Sequence, residues 1–95
     1  MVKVVFTFEV APEKQSEYLK ATAEIIKPHW ESHGCQSYDV WQAEGENTYI
    51  KEMLFPDLSS RETIMGMNDA ESNSVRALWK SFVDNVSIKT YVQKV

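Results

Sequence analysis

Between residues 36 and 55 the chain reads QSYDVWQAEGENTYIKEMLF, and the fold is decided there. Gln36 to Glu44 carries Tyr38, Val40 and Trp41 as its bulk, and Thr48 to Phe55 is a second run of β-branched, aromatic and aliphatic residues. Gly45-Glu46-Asn47 lies between them. Two strand-like runs around a short loop containing glycine make a β-hairpin. Pro56 ends the second run, because proline cannot donate to a strand ladder.

On the N-terminal side, Val2, Val4, Phe6, Phe8 and Val10 recur at every second position, the period of a half-buried strand. Val5 breaks the alternation and predicts that the second face is also partly covered. Pro12, Glu13 and Glu17 then suit the first turns of a helix, where a fixed φ and negative charge are favourable. Leu19, Thr22, Ala23, Ile26 and Trp30 fall on one stripe, widened by Tyr18 and Ile25, so a helix is expected from about residue 12 to about residue 31. Pro28 predicts a kink or an early end near Lys27, and Gly34 predicts the C-terminal stop.

On the C-terminal side, Asp57 or Ser59 can cap the next helix, and Ser59 with Glu62 fits a capping box. A short helix from Arg61 to Met67, a break at Asn68-Asp69 and a longer helix from Glu71 to about Asp84 follow. Val86 to Val95 reads as the last strand, with Val86, Ile88, Thr90 and Val92 on one face. The order β-α-β-β-α-β predicts a single α+β domain over residues 1–95. It is of the ferredoxin-like type, a four-stranded antiparallel sheet with helices on one face.

Two helices cover one face of such a sheet, and the other meets water or a partner. Val5, Trp41 or Val40, Met53, Phe55 and Tyr91 are its candidate residues, and an apolar sheet face of that kind predicts a homodimer through it. The chain has 14 acidic and 10 basic residues, a net charge of −4, and its basic residues are scattered singly, which argues against nucleic acid as a partner. No apolar run is long enough to span a bilayer, and the first residues read as a strand rather than a targeting segment, so no membrane association and a cytoplasmic location are expected. The lone Cys35 agrees with a reducing compartment.

Ser32-His33-Gly34-Cys35-Gln36-Ser37-Tyr38-Asp39-Val40, with Ala11-Pro12-Glu13-Lys14 and Glu52-Met53-Leu54-Phe55, resembles the dimeric α/β-barrel superfamily and within it the antibiotic biosynthesis monooxygenase type. The resemblance implies a homodimer whose sheets pack into a barrel, with a pocket between sheet and helices in each subunit. It also implies relatives that include cofactor-free oxygenases of polyphenolic or quinone-like compounds and haem-degrading enzymes. Phe55 stands where the family often has Trp, and Met67 and Ser72 stand where it often has His. With those histidines absent, the resemblance does not extend to haem ligation, and the usual acid/base group of that helix is missing.

Candidate chemistry follows from residue type. Phe6, Trp30, Tyr38, Trp41, Tyr49 and Trp79, with Met67, are able to line an apolar pocket for a planar ligand, although most such residues are simply core. His33 is a candidate general base, since histidine is the residue type suited to proton transfer near neutral pH, but solvated or capping histidines are commoner. His29 and His33, four apart, lie on one helical face, yet no acidic-histidine signature surrounds them and no metal is expected. Glu52 shares its parity with Ile50 and Leu54, and if buried it should find a cation. Cys35 reads as a small buried residue rather than a nucleophile. No phosphate loop or dinucleotide fingerprint occurs, and no cofactor is expected. Two functions remain: a cofactor-independent monooxygenase-like or isomerase-like enzyme acting on a small aromatic or apolar compound, and a non-catalytic small-ligand-binding or stress-associated dimer.

Overall fold

The computed structural model describes residues 1–95. Strands β1 (Val2–Glu9), β2 (Ser37–Gln42), β3 (Thr48–Phe55) and β4 (Asp84–Val92) form one sheet in the order β2-β3-β1-β4. Every pairing is antiparallel. Helices α1 (Gln15–Ala21), α2 (Lys27–Ser32), α3 (Leu58–Met65) and α4 (Ala70–Lys80) complete the ferredoxin-like α+β fold expected from the element order.

Register assigns each residue to a face, because opposed residues of an antiparallel pair point the same way. Val4 pairs with Met53 and Thr90, and Phe6 with Lys51 and Ile88, on the helix side. On the open side, Lys3 pairs with Leu54 and Tyr91, and Val5 with Glu52 and Lys89. Met53 and Phe55 therefore lie inside, fully buried under the helices, and not on the open face where the sequence reading put them. Val5, Trp41 and Tyr91 do lie on the open face.

The first helical segment corrects the expected stripe and rules out the early end expected at Pro28. Tyr18, Thr22, Ile26 and Trp30 form the buried stripe, four residues apart, while Leu19 and Ile25 are about half exposed at 46% and 48%. Pro28 neither ends the helix at Lys27 nor breaks it. The preceding turn, Thr22–Ile26, widens to a π-turn, with the Lys27 N–H donating to the Thr22 carbonyl. An i→i+5 turn eases the crowding between the proline ring and the preceding turn. The chain then stays helical to Ser32 and stops at Gly34, whose φ of +111° is costly for any residue with a Cβ. A Cβ there would also lie 3.1 Å from Ile64 Cδ1, so the stop fits against α3.

Helix α3 begins at Leu58, three residues before the Arg61 start expected from sequence. Asp57 is the cap, its Oδ1 accepting the Ser60 N–H at 2.7 Å, and the Ser59–Glu62 capping box does not form. Asp69 caps α4 in the same way, accepting from the Ser72 N–H at 3.0 Å. The Arg76 guanidinium donates to the carbonyls of Met65 and Met67 at 2.9 and 2.6 Å, neutralising the partial negative charge where α3 ends. No helix is long and apolar enough to cross a membrane.

The helix layer lies over β1, β2 and β3 and leaves β4 uncovered. Every residue of β4 is exposed, including Ile88 and Val92 on the helix side and Tyr91 on the open side.

Candidate functional site

Alternation along β3 points Tyr49, Lys51, Met53 and Phe55 into the layer between sheet and helices. Three of these are ordinary core residues. The fourth is a lysine only 5% exposed. Its Nζ lies 3.9 Å from the centre of the Trp79 ring, 4.1 Å from that of Phe6 and 5.2 Å from that of Tyr38. Ring faces attract a cation, but the ammonium forms no ion pair, since the salt bridges of the chain use Lys3, Lys27 and His29. Burial pushes the Lys51 pKa down to about 7, and the nearby Cys35 opposes that in part.

Beside this cage is an aromatic layer. Phe8 packs on Trp79, Tyr18 and Tyr49 with ring centres 5.3, 5.8 and 6.1 Å apart. The Tyr18 hydroxyl, Thr22 Oγ1 and Trp79 Nε1 are buried against one another, whereas the hydroxyls of Tyr38 and Tyr49 are buried without a hydrogen-bond partner in the protein. Each such group costs about 1–3 kcal/mol. Buried hydroxyls without a partner are uncommon in native interiors, so these two, together with the unpaired Lys51 ammonium, mark this interior as the candidate site. Burial raises the pKa of all three tyrosines, that of Tyr18 to about 12 with Thr22 and Trp79 offsetting part of the rise. At neutral pH they are protonated hydroxyls with a hydrogen to donate.

Of the pocket residues proposed from sequence, Phe6, Tyr38 and Trp79 meet around Lys51. Trp30 is buried elsewhere in the helix layer, edge-on to His29 and beneath Arg76. Met67 is partly buried against the core. Trp41 lies on the opposite face of the sheet, 59% exposed, because its register partner is Ile50 rather than Lys51.

The two candidate proton-transfer residues are also outside the interior. Glu52 is on the open face and has found a cation, Lys3, at 3.5 Å. His33 is exposed, its Nδ1 2.7 Å from the His29 carbonyl oxygen. His29 is the buried histidine: its Nε2 lies 2.9 Å from Ser72 Oγ and its Nδ1 3.3 Å from Glu71 Oε1. That order of groups resembles a nucleophile, base and acid, but Ser72 is fully buried, and the trio ties α2 to α4 instead. No group of three or more His, Cys, Asp or Glu side chains is placed to hold a metal ion.

Lys51 was legible in one respect only. It shares the parity of Tyr49, Met53 and Phe55, and a lysine on the buried side of a strand is an anomaly. Its aromatic neighbours come from β1, β2 and α4, far apart in sequence, so no local spacing announces the cage.

On the other side of the sheet, a concavity of about 760 Å³ is floored by Lys3, Val5, Glu52, Leu54 and Tyr91.

A family model described as antibiotic biosynthesis monooxygenase matches residues 1–51. No curated protein matches the sequence. Among solved structures, one described as an antibiotic biosynthesis monooxygenase is 13% identical with a TM-score of 0.77, covering 100% of both chains. A conserved protein of Methanosarcina mazei is 22% identical with a TM-score of 0.78, covering 98% of this chain and 92% of its own. A Mycobacterium tuberculosis protein is 17% identical with a TM-score of 0.75, covering 99% of this chain and 95% of its own. Identities this low carry the fold and nothing finer.

Proposed function

The chain belongs to the antibiotic biosynthesis monooxygenase family, and from that premise we propose that it takes a small aromatic or otherwise apolar compound between its sheet and helices and acts on it as a cofactor-independent, monooxygenase-like enzyme. The observation that carries this reading is the set of unpartnered buried polar groups on Tyr38, Tyr49 and Lys51, set among aromatic rings. A few convergent polar groups in an apolar setting suit a planar ligand carrying oxygen substituents. Lys51 is the one group there able to exchange a proton near neutrality, so it replaces His33 and Glu52 as the acid/base candidate.

A second reading, non-catalytic binding, draws on the absence of any carboxylate or free imidazole in the interior, since His29 is engaged with Ser72 and Glu71. Oxygen consumption separates the two. Purified protein given a panel of dihydroxyaromatic compounds should take up oxygen above a heat-killed control. Ligand retention in native mass spectrometry with no uptake for any compound would leave the binding reading alone.

The same reading includes a homodimer through the open sheet face. Leu54, Val5 and Tyr91 supply apolar contact area there, and Trp41 and the uncovered β4 extend it. Light scattering at micromolar concentration should find a single species of twice the 11.0 kDa chain mass. A well-folded particle of one chain mass would remove the dimer from the reading.

A further inference from the structure

We infer that Lys51 is the charge-recognising residue of the interior, and that the compound taken there is a small aromatic acid bound as its anion, with its ionised oxygen on the Lys51 ammonium and its ring against Phe6 and Trp79. The inference rests on the reading that this interior takes an aromatic guest, and adds what the guest must carry.

The first ground is a missing counter-charge. A buried ammonium is costly unless an anion accompanies it, and no acid of this chain does so. Glu52 and Asp39 are on the other face of the sheet, where they pair with Lys3 and Lys27. Glu31 pairs with Lys27 and accepts the Tyr38 N–H, while Glu71 faces His29. Three aromatic rings hold the ammonium in place, but a ring face supplies no full negative charge.

The second ground is the hydrogen bonding of the surroundings. The unpartnered groups nearby include the Tyr38 hydroxyl, which stays protonated and has a hydrogen to donate. A cation together with an idle donor is the arrangement that stabilises an oxyanion. The third ground is access. Phe6 pairs with Ile88 of β4, the strand that no helix covers, and Ile88 is 53% exposed. The cage wall at Phe6 therefore borders the uncovered shoulder of the sheet.

The groups that face Lys51 are few. Phe6 on β1 and Trp79 on α4 are uncharged, and Tyr38 on β2 stays neutral. Cys35, in the turn before β2, is held protonated by burial and donates to the Ser37 carbonyl. Binding of an anion should thus follow the protonation of Lys51 alone.

The test is isothermal titration calorimetry of the whole chain with benzoate, an ortho,para-dinitrophenol that is ionised throughout the range used, and the neutral isostere benzamide. At about pH 6 benzoate or the dinitrophenolate should bind about tenfold or more tighter than benzamide. Whichever anion is tighter identifies carboxylate or phenolate as the group recognised, and either supports the inference. Toward about pH 9 the affinity for benzoate should fall about tenfold or more while that for benzamide stays level, because the ammonium is lost above about 7. Lys51→Met should abolish the preference for the anion and keep benzamide binding, and the pH arm needs no variant to fold. Equal affinity for benzoate and benzamide, or a benzoate affinity flat with pH, overturns the inference while the aromatic-guest reading stands. If no aromatic compound binds the wild-type chain, both fall.

Discussion

Phe8→Ala lowers the unfolding free energy by about 3–5 kcal/mol, the range for deleting a large buried aromatic. Phe8 is 1% exposed, and its ring touches those of Tyr18, Tyr49 and Trp79, so it joins β1, α1, β3 and α4 at one point. Removing it loses the transfer energy of the ring and leaves a cavity among stiff aromatic neighbours that cannot collapse to fill it. In a domain of 95 residues each kcal/mol moves the thermal midpoint by roughly 4–8 °C, so the midpoint should drop by more than about 12 °C. Leu19→Ala is the contrasting change, expected within about 1 kcal/mol because Leu19 is half exposed. Urea unfolding of the two variants checks the pair. Equal losses would mean that the buried stripe of the first helix runs through Leu19 instead of Tyr18.

Leu19 also shows how far a sequence can be read here. The hairpin at residues 36–55 and the alternation of Val2 to Phe8 follow from local chemistry, and strand order and register agree with them. The helix stripe slipped by one residue because Leu19 is the more hydrophobic neighbour, whereas tertiary packing selected Tyr18 to meet Phe8. Met53 and Phe55 were placed outside because apolar residues occur on both parities of β3, and only pairing with Val4 and Val2 resolves which side is covered. Trp41 and Glu52 were attractive as residue types, yet both belong to the outward set. The interior site is a product of long-range topology. Lys51 and its three rings come from four different elements, and its role depends on what fails to approach it.

Lys51→Met raises stability by about 2–3 kcal/mol at about pH 6, and the advantage nearly vanishes by about pH 9. The unfolded chain keeps the Lys51 proton up to about 10.5, and the folded chain only up to about 7. Below the lower value both states are charged, and folding bears the whole penalty of burying the cation. Between the two values the unfolded state binds the extra proton, so stability rises with pH, by about 1.4 kcal/mol per unit. A shift of this size corresponds to about 4–5 kcal/mol, from which Met subtracts the lost cation–π contacts at about 0.5–1 kcal/mol each. The groups raised by burial act in the opposite sense. Cys35, Tyr18, Tyr38 and Tyr49 stabilise the fold below their ordinary values of 9.0 and 10.0, and that contribution is lost as pH climbs past them. Wild-type stability should therefore climb from neutrality to a maximum near about pH 9 and then fall, while the Met variant stays nearly level up to the same maximum. Parallel pH–stability curves for the two proteins from about pH 6 to about pH 9 would show that the folded chain holds Lys51 at an ordinary pKa, with its ammonium in water and its aromatic cage open.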